Sequence, residues 1–305
     1  MAKHTYGRKR DVITYELLAM FPCSYKTKKV EKMPNLANIT QVDLTPNMPP
    51  VFDQGQLGSC TANALLGAYE YEMLKQKEPL MNLSRLYLYY QERAMEGTVS
   101  QDAGAEIQDG VKVLQTTGVC RESLWPYDIS KFAVTPPAAA AADAGSHHVI
   151  NAQRLSGTAA DIKQTLVNGT PIVFGIEVYD SFQTPTSDST GVIAMPGPND
   201  NVEGGHAIVI VGYDDNKQLF KFRNSWGAGW GDRGYGYLPY AYVTDSNLSS
   251  DFWVLSSVSD NAPTPPPTPT PTPAPTPPVP PKPVVYTGMY ASTNQLPVNT
   301  TISFR

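Results

Sequence analysis

The sequence predicts an α+β fold with two lobes, a helical one followed by an antiparallel β one, and a cleft between them. Two observations carry this. From Thr61 to Thr116 the apolar residues recur at helical spacing, and from His148 to Ser256 they fall in short strand-like runs rich in β-branched and aromatic side chains. The Pro136-Pro-Ala-rich stretch separates the two halves.

Thr61–Lys77 reads as a helix ended by Pro79, with Ala62, Leu65, Leu66, Tyr69 and Met73 on one face. Leu83–Ala94 and Ile107–Thr116 follow, the second stopped by Gly118. The strand candidates are His148–Arg154, Pro171–Val178, Ala207–Tyr213, Leu219–Arg223, Tyr235–Tyr240 and Phe252–Ser256.

Around this body the composition changes. Residues 1–40 form a basic arm with a helical candidate at Val12–Phe21; 41–258 are continuously globular, with lobes at about 46–140 and 145–258. Residues 259–283 form a Pro/Thr-rich linker and 284–305 a short tail. Ala262–Lys282 has no means of building a core, and as an extended polyproline spacer it would reach on the order of 65 Å. Net charge is −5, but residues 1–32 carry eight Lys/Arg against three acids, leaving −10 on the remainder. A basic arm before an acidic body suits docking onto that body better than it suits nucleic acid. No apolar run approaches the roughly 18 to 20 residues that span a bilayer. No clean signal peptide is evident, so the expectation is a cytoplasmic protein or non-Sec export, the linker hinting at surface use. Nothing calls for a second copy, and a monomer is expected. Cys23, Cys60 and Cys120 are too few for a disulfide framework; Cys23 and Cys120 either pair or stay as buried thiols.

The chemistry lies in four separated motifs. Gln54-Gly-Gln-Leu-Gly-Ser-Cys60 places a thiol at the start of a helix, where unpaired N–H groups and the helix dipole favour thiolate. Gly204-Gly-His206 places an imidazole at the rim of a Val/Ile-rich strand. Asn224 follows Leu219–Arg223, and its side-chain oxygen can fix the tautomer and aim of an imidazole, with Trp226 as an indole shield over that bond. Gln54 and the Cys60 N–H are candidates for an oxyanion hole. Together these are the parts of an acyl-transfer machine built on a thiol nucleophile.

Leu57-Gly-Ser-Cys60-Thr61, Gly205-His-Ala-Ile-Val-Ile-Val-Gly-Tyr213 and Asn224-Ser-Trp-Gly-Ala-Gly-Trp-Gly231, with His206 146 residues after Cys60, resemble the papain-like cysteine peptidases. The resemblance covers about Val42 to Ser257. Leu83-Ser-Arg-Leu-Tyr-Leu-Tyr-Tyr90 and Trp125-Pro-Tyr-Asp128 are most similar to bacterial members. It implies the papain-like fold, a helical L lobe carrying Cys60 and a β-barrel-like R lobe carrying His206 and Asn224. It further implies peptide-bond hydrolysis through a thioester on a protein or peptide substrate, with no metal or organic cofactor. The arm matches where pro-segments sit, which makes a zymogen the expectation. The resemblance places the main specificity pocket at Gly104, Gly175, Gly205 and Ala207, beside Trp226. Four small residues there suggest room for a bulky apolar side chain two positions before the cut. Two departures stand out: Leu57 replaces a disulfide cysteine, and Thr61 replaces an aromatic.

Other readings are weaker. His147-His148 resembles a carboxylate-capturing pair, but it opens a strand and has no ligand cluster to suggest a metal. Gly229-Trp-Gly-Asp-Arg-Gly234 fits a dinucleotide pattern yet leads into a strand, so it reads as the hairpin after Asn224. The same four residues would serve transpeptidation, and a non-catalytic surface or adhesion module is the alternative of a different class. A vestigial site has no reason to keep Gln54, Cys60, His206 and Asn224 together.

Overall fold

A computed structural model describes residues 5–12 and 38–259. The chain divides into units Met1–Thr264 and Pro265–Arg305, and every described residue belongs to the first. The Val12–Phe21 helix candidate, apart from Val12, lies outside the described residues, as do Cys23, most of the linker and the tail.

Three helices build one lobe: α1 (Cys60–Lys75), α2 (Arg85–Glu96) and α3 (Ile107–Thr116). Helix α2 begins at Ser84, whose side chain accepts the Tyr87 N–H, and ends at Gly97, whose φ of 71° is the left-handed cap conformation that glycine adopts without strain. Helix α1 stops at Lys75, before Pro79, because Lys77 already has φ 64°.

The sequence expected one apolar face on α1, yet its residues are buried from Cys60 through Met73. The reason is position: α1 packs against α2 and α3 and also against the sheet of the other lobe. Its polar residues are therefore partnered inside the protein. Glu70 accepts the Leu83 N–H at 3.1 Å, Tyr71 donates to Gly169 O at 3.1 Å, and Asn63 donates to Ser59 O at 2.9 Å.

Near the N-terminus of α1, Arg8–Lys9 forms β1, which runs parallel to β3 (Ala105–Glu106). The second lobe is an antiparallel sheet. Its strands are β2 (Gln41–Asp43), β4 (His148–Arg154), β5 (Ile172–Tyr179), β6 (Val202–Asp214), β7 (Leu219–Arg223), β8 (Tyr235–Pro239) and β9 (Ser249–Ser259). They lie in the order β4-β9-β5-β6-β7-β8, with β2 added on β6. All six strand candidates are present. Strands β5 and β6 touch both α1 and the helix Ala159–Val167, so their sequences run apolar instead of alternating. That helix, and the short ones at Ala138–Ala144, Pro185–Thr190 and Tyr240–Thr244, went unforeseen because the runs are too brief for periodicity to speak.

Candidate active site

Cys60 is the first residue of α1 and is fully buried where that helix meets the sheet. The loop before it is held by identifiable contacts. Asp102 accepts the Gly58 N–H at 3.1 and 3.0 Å through its two oxygens, and Tyr127 donates to Gln54 O at 3.0 Å. Across the cleft, β6 brings the Ala207 backbone N–H to the Cys60 sulfur, so the strand that carries His206 lies against the thiol.

His206 differs from expectation in one respect. Strand β6 begins at Val202, so the histidine lies within the strand and is fully buried, not held at its rim. The rings over it explain this: Trp226 stacks on the imidazole at 5.1 Å, and Tyr6 meets it edge-on at 5.9 Å. His206 Nε2 lies 2.9 Å from Asn224 Oδ1. The same Oδ1 accepts the Ser225 N–H at 2.8 Å, which identifies it as the amide oxygen. Nε2 must therefore carry a proton, and Nδ1 is the other ring nitrogen.

Gln54 is fully buried. Its Oε1 accepts from Ser225 Oγ at 2.6 Å, and its Nε2 donates to Leu57 O at 3.0 Å and to Thr5 O at 3.1 Å. Gln54, Cys60, His206, Asn224 and Trp226 are thus brought together. Gly104, Gly175, Gly205 and Ala207 lie beside them, with Gly175 opposite Ala207 in the β5–β6 ladder.

Residues 5–12 run across this group. Thr5 Oγ1 donates to Gln56 O at 3.0 Å, and Gly7 O accepts the Ala105 N–H at 2.6 Å. A Cβ on Gly104 would overlap Gly7 O, and one on Gly175 would overlap the Arg8 guanidinium. Arg8 pairs with Glu177 at 3.3 Å and closely with Asp251 and Ser250. Arg10 pairs with Glu177 at 3.0 Å, and Lys9 with Glu96. Asp11 accepts from Trp253 Nε1 at 2.9 Å and from the Gln108 N–H at 3.1 Å.

Burial and Asp251's negative charge push the Asp11 carboxyl up to about 7. Burial also pushes the Cys60 thiol up to about 11, against the opposing pull of the Ala207 and Gly7 N–H groups. Burial in this setting disfavours the thiolate.

Glu177, Ser250 and Asp251 escaped sequence reasoning, although a lone acid inside each of the apolar strands β5 and β9 was a visible signal. So did Glu92, fully buried against Thr61 Oγ1 at 2.8 Å. Burial raises its carboxyl well above the usual range, against the opposing pull of the Thr61 hydroxyl. His147 and His148 are buried at the start of β4, where the His148 ring meets Gly145 O at 3.0 Å and His147 meets Asp143 at 3.5 Å. Leu57 is buried by packing, and Cys120 is a buried free thiol.

Comparison with known proteins gives the family and the fold. Residues 38–251 match the model of the papain family of cysteine proteases. An uncharacterized peptidase C1-like protein of Acanthamoeba polyphaga mimivirus is 38% identical over 261 residues, 83% of this chain and 82% of that protein. Cathepsin S of Bos taurus is 27% identical over 185 residues, covering 60% of this chain and 54% of its own length. Among solved structures, xylellain, a cysteine protease from Xylella fastidiosa, superposes with a TM-score of 0.73 at 36% identity, covering 84% of this chain and 98% of its own. With most of its described residues inside the matched span, the chain belongs to the papain family of cysteine proteases and is a peptide hydrolase.

Proposed function

We propose that the chain is an endopeptidase acting through Cys60, His206, Asn224 and Gln54, and that residues 5–12 restrain it. The observation that carries the reading is the His206 Nε2–Asn224 Oδ1 bond of 2.9 Å, which leaves Nδ1 as the nitrogen that exchanges a proton with the thiol.

Once the arm leaves, Nδ1 takes the Cys60 proton, and an imidazolium beside the helix N-terminus stabilises the thiolate. The sulfur attacks the scissile carbonyl, forming the S–C bond and moving an electron pair onto oxygen. Gln54 Nε2 and the Cys60 N–H receive that oxyanion. The pair returns as the C–N bond breaks, and the imidazolium protonates the leaving amine. Neutral His206 then takes a proton from water, which attacks the thioester; the acid leaves and thiolate is restored. Asn224 keeps the ring aimed through both halves, and Trp226 keeps water from that bond.

Restraint by the arm is supported by its polarity and its contacts. Thr5 O takes the Gln54 donor, Gly7 faces the thiol, and Arg8 fills the pocket at Gly175. A substrate would put its pocket residue before the carbonyl at Cys60, whereas Arg8 follows Gly7. The arm therefore runs opposite to a substrate, which protects it from cleavage while it blocks access. The test is hydrolysis of a fluorogenic peptide under reducing conditions by full-length protein, Arg8→Ala and Cys60→Ala. Activity raised in Arg8→Ala and absent in Cys60→Ala is expected; activity that survives in Cys60→Ala refutes the mechanism.

A further inference from the structure

We infer that Glu177 and Asp251 make the pocket at Gly175 selective for a basic side chain, arginine above all, two positions before the cut. The inference rests on the peptidase reading and replaces the bulky apolar preference that its small residues suggested.

Its basis is the chemistry of the occupant. Arg8's aliphatic stem lies along Gly205, where an added Cβ would come within 3.2 Å of Arg8 Cδ. Its guanidinium lies over Gly175, in the volume a side chain there would need. The small residues thus make room for a long side chain, and what meets its head is polar. Nη1 donates to Glu177 Oε1 at 3.3 Å, and Nη2 donates to Ser250 Oγ and Asp251 Oδ2. Arg8's side chain is 1% exposed, and the side chains of Asp251 and Glu177 are 5% and 23% exposed.

Charge balance decides the preference. Arg154 Nη2 also donates to Asp251, through Oδ1 at 3.3 Å, and it stays when the arm leaves. Glu177's paired cations, Arg8 and Arg10, both belong to the arm. A vacated pocket therefore holds two carboxylates against one guanidinium, with a hydroxyl beside them. An apolar side chain entering it would desolvate these oxygens and return nothing. A planar fork of N–H donors satisfies them together, while lysine offers only a point charge.

The test uses full-length Arg8→Ala, which frees the pocket, and two fluorogenic dipeptides with arginine at the cut, preceded by arginine in one and leucine in the other. The arginine peptide is expected to show the higher kcat/KM. Adding Glu177→Gln should lower the arginine-to-leucine ratio about tenfold to a hundredfold, mainly through KM. Asp251→Asn should act the same way; Glu177→Gln, at a half-buried strand position, keeps a readout if loss of Arg154's partner prevents folding. Preference for leucine, or a ratio unmoved by Glu177→Gln, would overturn the inference. Cleavage of neither peptide, with no labelling of Cys60 by a peptidyl epoxide, would instead overturn the peptidase reading beneath it.

Discussion

Gln54 Nε2 donates a hydrogen bond to the carbonyl of Thr5 at 3.1 Å, across 49 positions of sequence. The amide assigned to a substrate's oxyanion already holds a carbonyl oxygen from the chain itself. Its orientation is fixed from behind by Ser225 Oγ, which donates to Gln54 Oε1 at 2.6 Å. A donor held this way needs no reorganisation when charge develops. Gln54→Ala should therefore lower kcat by about 10²–10³ with a much smaller change in KM. Steady-state kinetics in the Arg8→Ala background checks this; a loss confined to KM would assign Gln54 to ground-state binding.

Arg8 anchors the arm through a buried guanidinium. Truncating one partner of a buried, hydrogen-bonded charge pair costs about 2–5 kcal/mol at an interface. Arg8→Ala should raise both turnover and the rate of Cys60 labelling by an epoxide, tenfold or more. Equal labelling rates in the variant and the parent would mean that the arm does not cover the thiol in solution.

Asp11 gives the restraint a pH dependence with a defined sign. Docked, its carboxyl is pushed up to about 7 by burial and by Asp251. Released, it should titrate near the ordinary value of about 3.9. The docked arm thus binds a proton that the released arm gives up. Asp11's contribution to docking is complete below about pH 4 and is lost as pH rises through about 7. The ratio of Cys60 labelling rates, parent over Asp11→Asn, should climb from about pH 4 to about pH 7 and level off above it. A ratio that is flat or falls with pH contradicts this.

Thr61 and Glu92 concern stability. Thr61 Oγ1 donates to Glu92 Oε2 at 2.8 Å in a fully buried setting. Thr61→Val leaves that oxygen without its hydroxyl donor and should cost about 1–3 kcal/mol in denaturant unfolding. Glu92→Gln should be milder, because the amide keeps an oxygen that can accept from Thr61 Oγ1 and burial favours an uncharged group there. A loss in Glu92→Gln as large as that in Thr61→Val would contradict this.

Much of this was legible in the sequence, for physical reasons. The Gln54, Cys60, His206 and Asn224 motifs each sit at the end of an element or in a strand whose own pattern is strong, so position and chemistry could be read together. What stayed hidden depends on long-range pairing. Glu177 and Asp251 lie on β5 and β9, and only the antiparallel β5–β9 pairing brings them to one pocket. Four small residues announced space but not the charge at its end. The burial of α1 on every side was likewise invisible, since Asn63, Glu70 and Glu72 look like solvated residues until their partners are known. Thr61 read as a mere departure from an aromatic because its acceptor, Glu92, is 31 residues away.

Cys60 is the proposed nucleophile, and its modification isolates that role. Full-length Arg8→Ala should be incubated with a peptidyl epoxide, digested and read by mass spectrometry, with residual hydrolysis followed in parallel. One adduct, on the peptide containing Cys60, should appear in step with the loss of activity, and Cys60→Ala should show neither adduct nor hydrolysis. Hydrolysis persisting after Cys60 is fully labelled, or in Cys60→Ala, would contradict the assignment.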